Sequence, residues 1–273
     1  MRIGSFTLRH GRPAIMGVVN VTPDSFSDGG RFVDPACAIE HALRLADCGA
    51  DLLDIGGEST RPGADPVDTG EELERVIPVI EGVRRASRVP ISIDTTKAAV
   101  GRAALDAGAD MLNDISAGRF DAGMLPLAAE SGVPICLMHM QGMPRTMQAA
   151  PHYGDLIGEI QEFLADAINR AVAAGVNRGA VAVDPGIGFG KDARDNIVIL
   201  KRLAEFARLE APILIGTSRK SFIGKMLDLD VDKRLEGTLA TLAVAIEGGA
   251  AIIRVHDVAA TARFMKMYLA LRA

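Results

Sequence analysis

The sequence contains no Cys-x-x-Cys pair, and its three cysteines, Cys37, Cys48 and Cys136, are odd in number. A disulfide framework or a zinc site is therefore not expected. Cys37 and Cys48 fall in a helical pattern and Cys136 in a strand pattern, so all three are expected as buried thiols. No stretch approaches the ~18 uninterrupted apolar residues of a membrane helix, and the first residues lack the apolar run of a secretory leader. A cytoplasmic location is expected. Nor is there an excess of one charge: 30 basic residues face 35 acidic ones, a net charge of −5. That balance gives no general attraction to nucleic acid or to an anionic membrane. What is present is an ordinary globular composition, 48% hydrophobic and 24% charged over 273 residues, enough to bury a substantial core.

One unit recurs along the chain: a short apolar run ending in a polar residue, a loop, an amphipathic stretch, then glycine. The apolar runs are Ala14–Val19, Asp51–Ile55, Pro90–Ile93, Asp110–Leu112, Val133–Met138, Ala180–Val183, Pro212–Ile215 and Ala250–Val255. Short runs rich in Ile, Val and Leu fit strands buried on both faces. Leu73, Val76, Ile77, Ile80 and Val83 form a helical stripe, for which Thr69 and Glu72 offer a capping box. Leu156, Ile160, Phe163, Leu164 and Ile168 form another. Gly49, Gly108, Gly132, Gly175 and Gly249 each precede the next strand, where a left-handed helix end is expected. Strand–helix alternation implies parallel strands with right-handed crossovers. Eight strands without a linker-like break predict an α/β fold, a (β/α)8 TIM barrel, as one domain over residues 1–273. An open doubly wound sheet is the runner-up. The span Lys220–Glu236 exceeds a simple turn, so an early or additional helix is expected there.

In such barrels the chemistry sits at the C-terminal strand ends. Those ends read Asn20, Asp54, Asp94, Asn113-Asp114, His139, Asp184, Thr217-Ser218-Arg219-Lys220 and Arg254-Val255-His256-Asp257. Buried charges are costly unless paired or liganded, so a rim this polar favours a site. For Asp54, Asp114 and Asp257, ion pairing or helix capping is an equal alternative. The loops Thr22–Gly30 and Gly56–Gly63 mix glycine, proline, hydroxyls and charge. They read as lids that present Phe26, Thr60 and Arg61 to a substrate. Asp184–Lys191 is glycine-rich but fits neither a Walker loop nor a Rossmann fingerprint. It suits a flat ligand lying against backbone, with Phe189 in contact. Gly216–Ser221 leads into a helix, and with Arg219 and Lys220 it reads as an anion site. Arg254 and His256, two apart, can face the same side.

Taken together, Met16–Gly30, Gly56–Gly63, Ser92–Thr95, Asn113–Ile115, Met138–Gln141, Asp184–Gly186, Ser218–Ser221 and Arg254–Asp257 resemble the dihydropteroate synthase family of pterin-binding barrels. The resemblance runs in order over nearly the whole chain. It implies a transferase of folate biosynthesis. Such an enzyme condenses 6-hydroxymethyl-7,8-dihydropterin diphosphate with 4-aminobenzoate, giving 7,8-dihydropteroate and diphosphate. It further implies Mg²⁺, with Asn20 as its protein ligand, and a homodimer. Arg254 and His256 would hold diphosphate. Asp184 would take the amino-pyrimidinone edge of the pterin, Asp94 and Asn113 its other edges, and Lys220 a ring heteroatom. Met138 and Ile115 would pack on the ring. Thr60, Arg61, Pro62, Phe189 and Ser221 would line the aminobenzoate pocket with Phe26, and sulfonamides would compete there. Asp94, Asp184, Lys220, Arg254 and His256 are the expected catalytic set.

A methyltetrahydrofolate-dependent corrinoid methyltransferase is the alternative, since related barrels share the pterin-edge carboxylates. It has no need of the two lids or of the Arg-Val-His-Asp segment. A ligand-binding protein without activity and a Schiff-base aldolase using Lys220 are lesser rivals.

Overall fold

The computed structural model describes residues 1–9, 11–22, 34–59 and 65–272. A short antiparallel hairpin, β1 (Arg2–Ile3) and β2 (Phe6–Thr7), comes first. Eight parallel strands follow: β3 (Ala14–Asn20), β4 (Leu52–Gly56), β5 (Ile91–Asp94), β6 (Met111–Asp114), β7 (Ile135–Met138), β8 (Val181–Asp184), β9 (Ile213–Ile215) and β10 (Ala250–Val255). They close in sequence order, with β10 beside β3. The expected (β/α)8 barrel is therefore present, and the open sheet is excluded.

Helices cover the outside: α1 (Pro35–Asp47), α2 (Thr69–Ala86), α3 (Ala98–Asp106), α4 (Met124–Ser131), α5 (Leu156–Ala173), α6 (Ala193–Lys201), α7 (Ser221–Leu227), α8 (Leu235–Glu247) and α9 (Val258–Ala270). α7 and a 3₁₀ turn at Val231–Lys233 account for the long connection before α8. Val76, Ile80 and Val83 of the α2 stripe are fully buried against the barrel, while Leu73 and Ile77 are half-buried at its margin. All five predicted glycines have positive φ. Among the described residues, no helix is long and apolar enough to cross a membrane.

Three local expectations need correction. The cap of α2 is Asp68, which accepts the Glu71 N–H at 2.9 Å; Thr69 is already helical. Glu72 is instead fully buried and accepts from Lys97 at 2.6 Å. Asp51 and Asp110 stand just before their strands, not in them. Each carboxylate accepts a neighbouring strand's amide, from Ile15 and Ile91 respectively, both at 2.9 Å. Cys37 and Cys48 lie on the solvent face of α1 or its end, and only Cys136 is buried. Helical periodicity placed Cys37 on α1 and Cys48 at its end but did not say which face they share.

The barrel interior is layered by the two-residue period of the strands. Ala14, Met16, Leu52, Met111, Cys136, Ala182, Leu214 and Ile252 form one apolar cluster with Ile3 of the hairpin. Met1, Phe6 and Leu8 pack beneath it, closing the N-terminal end. Two residues further along the same strands stand Asp54, Asn113, Met138, Asp184 and Arg254.

Candidate active site

Arg254 organises the open end. Its Nε donates to Asp54 Oδ2 at 2.6 Å and its Nη2 to Asp94 Oδ2 at 2.8 Å. Burial alone would lower the Arg254 pKa, but Asp54 and Asp94 outweigh it and hold the guanidinium charged. Asp54 is fully buried and also accepts Asn113 Nδ2 at 3.1 Å. One carboxylate thus orients both the arginine and the amide, which resolves Asp54 as a supporting group. The partial exposure of Arg254 and Asp94, 23% and 12% of their side chains, leaves both open to a ligand. Burial pushes the Asp94 carboxyl up to about 7, with Arg254 pulling the other way.

Across the mouth, Asp184 ends β8 with one carboxylate oxygen accepting the Gly186 N–H at 2.7 Å. Burial raises its pKa, opposed by Lys220 and by that amide. Lys220, the residue before α7, donates through Nζ to the Ile187 carbonyl. The same Nζ lies 4.5 Å from the centre of the Phe189 ring, a cation–π contact. Burial lowers the Lys220 pKa to about 8, while Asp184 works against the shift. The imidazole Nδ1 of His256 lies 3.0 Å from Ser218 Oγ, which also accepts the His256 N–H.

These groups meet in one cavity, lined by Asp94, Asn113, Ile115, Met138, Asp184, Phe189, Gly216, Ser218, Lys220, Arg254 and His256. The polar set is backed by an apolar wall in which Ile115 and Met138 cluster with Met140, Met147 and Phe189. A larger cavity of about 970 Å³ adjoins it and shares Asp94 and Ile115. Two of its own carboxylates, Glu58 and Glu72, are already taken by Lys97. The first cavity brings together the charged and polar ends of β5, β6, β8 and β10 with those of the segment before α7.

Not every expected residue converges. Arg219 was read as part of an anion site, but its guanidinium grips Asp257 bidentately at 2.9 and 2.5 Å. Its backbone has φ +58°, so side chains 219 and 220 diverge from a kinked turn. Asp114 closes a turn by accepting the Ser116 and Gly118 amides at 2.7 and 2.6 Å. His139 is buried in edge-on contact with Phe163, with ring centres 4.8 Å apart, and is not a rim ligand. Ser221 is exposed at the start of α7, outside the lining of this cavity. Phe26, Thr60, Arg61 and Pro62, and with them most of the first lid and half of the second, lie outside the described residues. The sequence reading missed Lys191, a lysine almost wholly buried at 2% exposure. Its main partner, His139, is 52 residues away, so no local pattern announced it.

The family model of pterin-binding enzymes matches residues 16–256, which include every residue lining the first cavity. The dihydropteroate synthase of Synechocystis is 52% identical over 94% of this chain and 89% of its own length. The chain belongs to the dihydropteroate synthase family. Solved members superpose closely. The Yersinia pestis dihydropteroate synthase, in complex with a sulfonamide drug, gives a TM-score of 0.94 at 46% identity, covering 100% of this chain and 98% of that one. The Xanthomonas albilineans dihydropteroate synthase, in complex with 7,8-dihydropteroate, gives 0.88 at 43% identity, covering 98% and 96%. Family membership thus agrees with a site that pairs carboxylates with cations beside an apolar wall.

Proposed function

We propose that the chain condenses 6-hydroxymethyl-7,8-dihydropterin diphosphate with 4-aminobenzoate, releasing diphosphate and forming 7,8-dihydropteroate. The observation that carries this reading is the convergence of Asp94, Asn113, Asp184, Lys220, Arg254 and His256 on one cavity backed by Ile115, Met138 and Phe189. Asp184 keeps one oxygen on the Gly186 amide, and its carboxylate accepts the donor edge of the pterin. Asn113 and Asp94 take the remaining edges, and Lys220 donates to a ring heteroatom. Phe189 lies on the aminobenzoate side.

The reaction breaks the bond between the pterin methylene carbon and the diphosphate oxygen. The electron pair leaves with diphosphate, and positive charge develops on the methylene. Arg254, a fixed cation, and His256, through its imidazole, stabilise the departing anion, which is where preorganised charge and hydrogen bonds lower a barrier most. The neutral aryl amine then forms the C–N bond and loses one proton to solvent or to the leaving anion. It needs no strong protein base, so holding it in line is the protein's main contribution.

No group of three or more His, Cys, Asp or Glu able to hold a metal occurs among the described residues. Asn20, half-buried at the end of β3, offers one amide oxygen. That donor fits a magnesium ion which arrives on diphosphate oxygens and keeps water ligands, not one caged by protein. When bound, Mg²⁺ would neutralise diphosphate charge.

Exposed Met226, Leu227, Val231, Val244, Met267 and Leu271 occur on α7, α8, α9 and their connections. We assign these elements to a homodimer contact in a cytoplasmic protein, to be checked by light scattering. Incubation with both substrates and Mg²⁺ tests the activity. Dihydropteroate with stoichiometric diphosphate supports it. Methyl transfer to a corrinoid without diphosphate release would establish the rival reading.

A further inference from the structure

Lys191 is among the largest fully buried side chains, yet no step of the reaction calls on it. Its Nζ faces three acceptors: His139 Nδ1 at 2.9 Å, the Phe189 carbonyl at 2.9 Å and the His139 carbonyl at 3.4 Å. An ammonium has three hydrogens and no lone pair, so this cage matches its charged form. The imidazole can serve as an acceptor because burial, and then the Lys191 and Arg119 cations, hold its pKa down to about 2. Burial presses the Lys191 ammonium to about 7, with Asp184 opposing and Lys220 adding to the shift. A costly buried cation implies that its contacts achieve something a hydrocarbon would not.

What they achieve is a junction between two loops. His139 follows β7, and Phe189 belongs to the segment after β8. The approach is close: Gly186 has φ +74°, and a Cβ there would lie 1.9 Å from the His139 carbonyl oxygen. From outside, Tyr153 Oη donates to the Gly190 carbonyl at 2.7 Å and Gln148 Nε2 to the Gly188 carbonyl at 2.6 Å. The segment held this way carries both groups that touch Lys220 Nζ, the Ile187 carbonyl and the Phe189 ring.

We propose that Lys191 is a positioning residue for the aryl-amine half of the reaction: it pins the 186–190 segment to the end of β7, setting Phe189 and the Ile187 carbonyl against Lys220. This rests on the dihydropteroate synthase reading of the site. Wild-type protein is therefore assayed first; absence of dihydropteroate there would sink that reading and not the pinning itself.

The test is Lys191→Met, which keeps an unbranched side chain but removes all three donors. Folding is checked by circular dichroism and thermal melting, and steady-state rates are measured against each substrate. The expected result is a folded enzyme whose KM for 4-aminobenzoate rises about tenfold, while KM for the pterin diphosphate, felt only through Lys220, rises by about threefold or less. Lys191→Gln, which retains two donor hydrogens, should fall between. An unchanged aminobenzoate KM in a folded variant overturns the proposal, because lysine would then only fill space. Equal rises in both KM values overturn it too, as general disturbance of the rim. If neither variant folds, Lys191 is a structural requirement and the assignment is wrong.

Discussion

The two ends of the barrel are built from the same strands and do opposite things. At the N-terminal end Leu52, Met111, Ala182 and Ile252 meet Ile3 of the hairpin in a dry cluster. Two residues later those strands deliver Asp54, Asn113, Asp184 and Arg254 to the open mouth. Period-two geometry points both sets inward, so the division between stability and chemistry is a matter of two positions along each strand. The apolar end gains from burial without specific partners. The polar end holds buried charges that stay acceptable only through mutual pairing and a ligand.

Breaking the polar end at its centre should have the largest effect. Arg254→Met leaves Asp54 buried without its cation, a change worth about 3–5 kcal/mol of stability. It also removes the proposed stabiliser of the leaving group, for an expected loss of roughly a hundredfold or more in kcat. Denaturant melts and diphosphate-release rates measure both; a variant as stable as wild type would contradict the pairing.

Asp184→Asn sharpens the contrast by separating function from fold. Asparagine keeps an acceptor for the Gly186 amide, but it turns the other oxygen into a donor facing pterin donors. Pterin affinity should fall by about a hundredfold with little change in melting temperature, since the lost bonds are charge-assisted. Unchanged affinity by calorimetry rules the role out. Met111→Ala is the converse at the closed end. Its fully buried side chain should cost about 2–5 kcal/mol, while both KM values stay put.

The last effect is a slope with pH. The Asp94 carboxyl titrates at about 7 when folded against 3.8 ordinarily, because burial outweighs Arg254. Between those values the folded protein holds a proton that the unfolded chain has released. Stability from this group is thus complete below pH 3.8 and lost as pH rises through about 7. Asp94→Asn should flatten the fall of melting temperature over that window, and melts at stepped pH would show an unaltered slope if the reading is wrong.

Much of this was legible in the sequence because two periods carry it. Eight apolar runs flanked by polar residues yield the barrel, and the polar residues at or beside their ends name Asp94, Asn113, Asp184 and Arg254. What stayed illegible depends on pairings between distant segments. Asp54 could not be separated from a ligand-binding acid until Arg254 was seen across the barrel. Arg219 looked like a partner of Lys220, yet a left-handed backbone turns it to Asp257. The Lys191–His139 junction joins two loops with no shared motif. Cys37 and Cys48 show the limit of helical spacing, which fixes relative angle but not which side meets the barrel.

The close passage at Gly186 also constrains how this enzyme could diversify. Since a single methyl group there would collide with backbone that has nowhere to retreat, a saturation library selected for growth should return glycine alone at that codon. Neighbouring side chains would carry the variation, so altered ligand choice would arise around a fixed point that itself stays invariant.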